Sequence, residues 1–181
     1  MSTLHVENLK GLSSGGNANK IIVPSGQTID TSAGTLVPSA GQVVKTETFN
    51  NNVQLVTTST SYQDVLDFNF TPTYANSFLF ISGTICGVAY QSTSAYNGSV
   101  WRYTITPSGG STTNQLLLNY MWHVPTGEYY GGQVSFNIRY DVSSTVSHSI
   151  KIQAFSRGGS NNVIRSRNGE ESRMTIQEIK Q

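Results

Sequence analysis

The stretch Asp64–Tyr90, DVLDFNFTPTYANSFLFISGTICGVAY, constrains the fold of this chain more than any other. Its first half alternates, with Leu66, Phe68 and Phe70 on one parity and Val65, Asp67 and Asn69 on the other. A period of two over this length predicts a strand with one dry and one wet face. TPTYANS then supplies Pro72, Asn76 and Ser77, the residues of a chain reversal. From Phe78 to Tyr90 the apolar residues occupy both parities: Phe78, Phe80, Cys86, Val88 and Tyr90 on one, Leu79, Ile81, Ile85 and Ala89 on the other. A strand apolar on both sides is usually covered on both sides, and an antiparallel domain of this size offers one interior. The expectation is that identical neighbours supply the second cover in a homotrimer. Leu79, Ile81 and Ile85 are then candidate subunit-interface residues, joined by Leu117 and Met121 on the second parity of Gln115–His123.

Composition sets the fold class. Charged residues make up 12% of the 181 and the net charge is +1, so no global field draws in nucleic acid or a membrane surface. Polarity comes instead from Ser, Thr, Asn, Gln and Gly, which suit exposed strands and tight turns, and no segment carries a 3.6-residue apolar period. The single cysteine, Cys86, reads as a small buried hydrophobe. The opening MSTLHVENLKG lacks the apolar core of a secretory signal, and no run reaches the length of a membrane span. The expected class is all-β, made in the cytoplasm, with no membrane insertion.

Taken in order, residues 1–50 read as an extended arm with sparse large apolar side chains. Val23-Pro24-Ser25-Gly26-Gln27-Thr28-Ile29 recurs imperfectly as Val37-Pro38-Ser39-Ala40-Gly41-Gln42-Val43-Val44. Each copy is a strand end, a Pro/Gly turn and another short strand, and such units need neighbours to bury their side chains. Residues 51–181 then carry about eight or nine strands. Trp101, Tyr103 and Ile105 point inward on one; Val134, Phe136, Ile138, Tyr140 and Val142 on another; Ile150, Ile152 and Ala154 on a third; Met174 and Ile176 on the last. Gly, Pro and Asn turns between them predict an antiparallel sandwich, most naturally a jelly roll.

STLHVENLKG…IIVPSGQTIDTSAGTLVPSAGQVV resembles the N-terminal arms of bacteriophage virion appendage proteins, particularly those of marine phages. TSYQDVLDFNFTPTYANSFLFISGTICG and the closing SRMTIQEI are similar to the distal β-domains of the same fibre and spike proteins. The similarity is one of pattern, covers about half the chain, and involves no active-site signature. It implies a homotrimeric tail fibre or spike subunit, anchored to other virion proteins through its arm and presenting a β-sandwich for host attachment. The absence of a long shaft or coiled coil leaves a head fibre or capsid decoration protein as the alternative.

The residues offer little for catalysis. Asp64 and Asp67, three apart on a strand, fall on opposite faces and form no pair there. Glu170 and Glu171 sit beside Arg165, Arg167 and Arg173 as surface charges. His5, His123 and His148 have no metal-ligand spacing, and no phosphate loop or nucleophile motif is present. A polysaccharide depolymerase therefore lacks its two carboxylates, and the expectation is no enzyme, no cofactor and no metal. A cellular trimeric ligand of the tumour-necrosis-factor type is disfavoured by the missing signal and anchor. Candidate receptor contacts are Tyr90, Tyr96, Tyr129 and Tyr130, rings amid short polar residues, with Arg165 and Arg167 from the basic C-terminal region. A host cell-surface glycan is a candidate partner, and nucleic acid is not.

Overall fold

The computed structural model describes residues 13–15, 25, 38–91, 97–122, 129–157, 162–165 and 169–181; within these, side chains are described for all but 89–91, 97, 119–122, 129–131 and 162–164. The chain divides into two compact units, Met1–Val37 and Pro38–Gln181. In the first, Ser13–Gly15 form an exposed bend and Ser25 an exposed turn. Among the described residues the second holds ten strands: β1 (Val43–Asn51), β2 (Leu55–Thr57), β3 (Gln63–Phe70), β4 (Ser77–Gln91), β5 (Asn97–Pro107), β6 (Thr113–Trp122), β7 (Tyr129–Val142), β8 (His148–Arg157), β9 (Asn162–Arg165) and β10 (Ser172–Lys180).

Among the described residues all pairings are antiparallel. One sheet runs β1-β10-β4, with β7 on the far side of β4; short β9 and β2 continue it beside the C-terminal half of β4. The other runs β3-β8-β5-β6. Setting β2 and β9 aside, two four-stranded sheets between which the chain crosses at every connection except the β5–β6 hairpin make a jelly roll, and the all-β sandwich expected from the sequence is observed. The expected arm boundary at residue 50 lies too late, because β1 pairs with β10 from Val43↔Ile179 to Asn51↔Ser172. Residues 43–51 therefore belong to the sheet, while most of the arm and its repeat lies outside the described residues.

Inner-face side chains of both sheets form one core. Trp101, Phe70, Leu66, Ile105, Ile150, Ile152, Met174 and Ile176 are fully buried, each worth about 1.5–3 kcal/mol of transfer from water. β8 shows why the alternation was readable: its burial switches at every residue from His148 to Arg157.

The interface reading of β4 does not survive. Leu79, Ile81 and Ile85 are each 0% exposed within the single chain and pack in its own core. The register breaks between Ile85 and Val88, where Gly87 takes φ 64°. That β-bulge returns Val88 to the interior after Ile85, so one inner face spreads over both parities of the sequence. On the outer face Phe78 is half-buried beneath the Arg139 guanidinium, 4.4 Å from its ring centroid, and Phe80 is 38% exposed. Cys86, expected in the core, is only half-buried. Leu117 is half-buried against the core, and the side chain of Met121 lies outside the described set.

A second bulge lies in β3, where the register shifts between Asp64 and Leu66. Val65 and Leu66 are consequently both buried. The same bulge turns Asp64 and Asp67 to one outer face, which corrects the expectation that they point apart.

Candidate functional site

The outer face of the β3-β8-β5-β6 sheet brings charged and aromatic side chains into contact. Register places Asp64, Gln153 and Arg102 in one cross-strand row and Asp67, Lys151 and Thr104 in the next. Lys151 Nζ lies 2.6 Å from Asp64 Oδ2 and 3.4 Å from Asp67 Oδ2. Gln153 donates to Asp64 Oδ1 at 2.6 Å, and its own carbonyl oxygen accepts from Arg102 Nε at 2.7 Å. The Arg102 guanidinium stacks 3.7 Å from the centroid of Tyr62, whose ring meets Phe155 edge-on at 4.8 Å. At the other end of this face Asn69, Thr106, Ser147 and Ser149 border an open cleft of about 410 Å³. The result is a ledge with an aromatic–guanidinium clamp at one end, an ion-pair centre and a hydroxyl-lined cleft.

Burial alone would raise the Asp64 carboxyl, but the hydrogen bonds from Gln153 and Lys151 and the Lys151 and Arg102 charges outweigh it and hold it below the ordinary 3.8. A general acid needs the opposite shift. The same hydrogen bond raises the Lys151 ammonium, against a smaller opposing effect of burial. The folded-state value of Asp64 is lowered, so its contribution to stability is present above the ordinary carboxylate range and fades as pH falls through the lowered value. That of Lys151, raised, is present below its ordinary range and fades as pH rises through the higher one. Both side chains are about one-third exposed or more, which keeps the effect small. Asp64→Asn is therefore expected to flatten the acid limb of stability against pH by about 0.5 kcal/mol, measured by denaturant unfolding between pH 2 and about pH 6. An unchanged acid limb would remove this account of the pair.

The residues singled out in the sequence fall elsewhere. Arg165, a candidate receptor contact, is buried. Its Nε donates to the Val53 carbonyl at 2.7 Å and its Nη1 to the Val65 carbonyl, tying β9 of one sheet to the bulge in β3 of the other. Burial lowers its pKa below the ordinary guanidinium value, and a guanidinium engaged with backbone carbonyls is a strut rather than a contact. Tyr90 pairs with Tyr130 at the end of β4–β7, and Tyr129 pairs with Gln91; the side chains of Tyr90, Tyr129 and Tyr130 lie outside the described set, as do Tyr96 and Arg167 altogether. Tyr62, Arg102 and Phe155 were not singled out, although Tyr62 and Phe155 at two strand ends were a signal in the sequence. His148 is fully buried, with Nδ1 2.7 Å from the Val146 carbonyl oxygen and the Tyr140 ring against it edge-on. Among the described residues no three His, Cys, Asp or Glu side chains converge as a metal site would require.

No protein-family model matches the sequence, and comparison with curated proteins finds no match. Among solved structures, the chain is similar to the VP2 subviral particle protein of infectious bursal disease virus, with a TM-score of 0.46 and 16% identity over 86% of this chain and 41% of that one. The particle protein of the T13 form of that virus gives 0.45 and 10% over 87% and 40%. The CBM22-1 xylan-binding domain of Paenibacillus barcinonensis Xyn10C gives 0.33 and 13% over 80% and 99%. The chain spans about two fifths of the length of the viral proteins.

Proposed function

We propose that this chain is a non-enzymatic virion structural protein, a homotrimeric fibre or spike subunit whose N-terminal arm attaches to the particle and whose jelly roll is presented for contact with a host surface. The observation that carries the reading is that the two sandwich stretches bearing the resemblance interlock. The buried Glu178 of SRMTIQEI accepts hydrogen bonds from the backbone N–H groups of Thr73 and Tyr74 in TPTYANS, at 2.8 Å each. β10 also pairs with β4 from Arg173↔Thr84 to Lys180↔Ser77. Sequence patterns that resemble one family thus meet in one structural unit rather than at scattered positions.

The trimer now rests on the arm, whose repeat needs neighbours to bury its apolar side chains, and not on β4. The ledge of Tyr62, Arg102 and Phe155 carries the residue types that anchor protein–protein contacts, and suits a protein partner on the particle or the host. Two measurements test the proposal. Sedimentation of the full chain should give three times the 19.6 kDa protomer mass, and a single-protomer mass at tens of micromolar overturns the trimer. Antibodies against the chain should label purified particles in electron micrographs. Particles free of the chain would overturn the virion assignment, whereas label on the head instead of the tail would make it a head fibre.

A further inference from the structure

The outer face of the β1-β10-β4-β7 sheet differs in chemistry from the ledge. Register aligns its outward side chains in three rows: Thr46, Gln177, Phe80 and Arg139; Thr48, Thr175, Ser82 and Asn137; Asn50, Arg173, Thr84 and Ser135. Strands about 4.8 Å apart, with same-face residues about 6.8 Å apart along each, make this a field of hydroxyls and amides. Over its middle lies an open groove of about 550 Å³, bordered by Ser82, Thr84, Ser135, Asn137, Arg173 and Thr175. Phe80, 38% exposed, stands next to it in the first row.

We propose that this groove binds an uncharged glycan. Hydroxyls and primary amides both donate and accept, which matches the paired donor and acceptor character of sugar hydroxyls. Both arginines of the field are neutralised on the protein, Arg139 by Asp141 at 3.1 Å and Arg173 by Glu171 at 2.8 Å. The field thus presents donors without net charge, and a polyanionic glycan gains little from it. Phe80 adds a flat apolar surface for the C–H face of a sugar ring, rigid and cheap to order. The volume falls within the range of small-ligand sites. A second protein copy is the poorer occupant, because the centre of the face is Ser, Thr and Asn where stable protein interfaces place apolar and aromatic residues.

This deepens the host-contact part of the proposed function and rests on it only for where the glycan is met; binding itself can be tested without a particle. The experiment is native gel electrophoresis of the full chain through gels containing dextran, mannan or galactan, with alginate as the anionic comparison. Retardation by a neutral polysaccharide is expected. Phe80→Ala and Asn137→Ala should each weaken it by about tenfold, the size of one lost ring or amide contact, whereas Leu116→Ser on the other sheet should leave it unchanged. Thermal melts of the same variants establish that they are folded. No retardation by any neutral polymer, retardation by alginate alone, or retardation that survives both variants overturns the proposal. So does a change of oligomeric state in Phe80→Ala or Asn137→Ala, which would assign the face to a second copy. None of these results bears on whether particles carry the chain, so the glycan site and the virion reading fail separately.

Discussion

Gly83→Ala is expected to lower the free energy of unfolding by about 3 kcal/mol, although it adds one methyl group. Gly83 lies on the inner face of β4, opposite Phe136 on β7 and Met174 on β10. A Cβ there would stand 2.5 Å from the Arg173 carbonyl oxygen, 2.6 Å from Phe136 Cζ and 3.1 Å from Met174 Cα. The ring end can shift, but the carbonyl belongs to a strand held between β1 and β4 and yields only if the ladder opens. The double variant separates the two clashes. Phe136→Leu should relieve the ring contact and leave the carbonyl contact, so Gly83→Ala should still cost more than about 1 kcal/mol in that background. Urea unfolding of the four proteins measures this. A Gly83→Ala protein within about 0.5 kcal/mol of the parent would mean that the close packing of β4 against β10 is wrong.

The same strand shows what the sequence made legible. Period-two patterns at Val134–Val142 and Ile150–Ala154 identified strands and their inward faces correctly, because those strands are regular and wet on one side. They misled where a bulge intervened. Val65 was placed outside and Asp64 opposite Asp67 because a shift in register, invisible in the letters, adds one residue to β3. In β4 the second apolar parity has two sources: Val88 is turned inward by Gly87 and its bulge, for which glycine within a strand pattern was the available sign, whereas Phe78 and Phe80 lie on the outer face. Reading β4 as apolar on both sides demanded a neighbour to cover Leu79, Ile81 and Ile85; their burial in the chain's own core removes the demand.

The site was less legible than the fold. A side chain becomes part of a surface constellation through cross-strand register, and Tyr62, Arg102 and Phe155 are brought together from three separate strands or strand edges. Arg165 looked like a surface cation because its charge is evident in the sequence, whereas the two carbonyls that hold it depend on the chain around Val53 and on the β3 bulge. Charge is written locally. Its partners are not.

Glu178→Ala is expected to cost the most of any single substitution considered, about 4 kcal/mol. The carboxylate is 0% exposed. One oxygen accepts from Thr73 N at 3.0 Å, Tyr74 N at 2.8 Å and Ser77 Oγ at 3.1 Å; the other accepts from Thr73 N at 2.8 Å. The Thr73 and Tyr74 donors belong to the crossover that carries the chain from β3 in one sheet to β4 in the other, and alanine would leave them facing a void, whereas the Ser77 hydroxyl keeps the Tyr74 carbonyl oxygen at 2.8 Å. Glu178→Gln should cost about half as much. Its carbonyl oxygen can still serve Tyr74 and Ser77, but its NH₂ would meet the Thr73 N–H donor to donor. Amide exchange should accelerate at Thr73 and Tyr74 in both variants while β8, remote from the crossover in sequence, keeps its protection in the glutamine form. If Glu178→Ala matched the parent in stability and exchange, the crossover would be held by something other than β10. The interlock that supports the virion reading would then be lost with it.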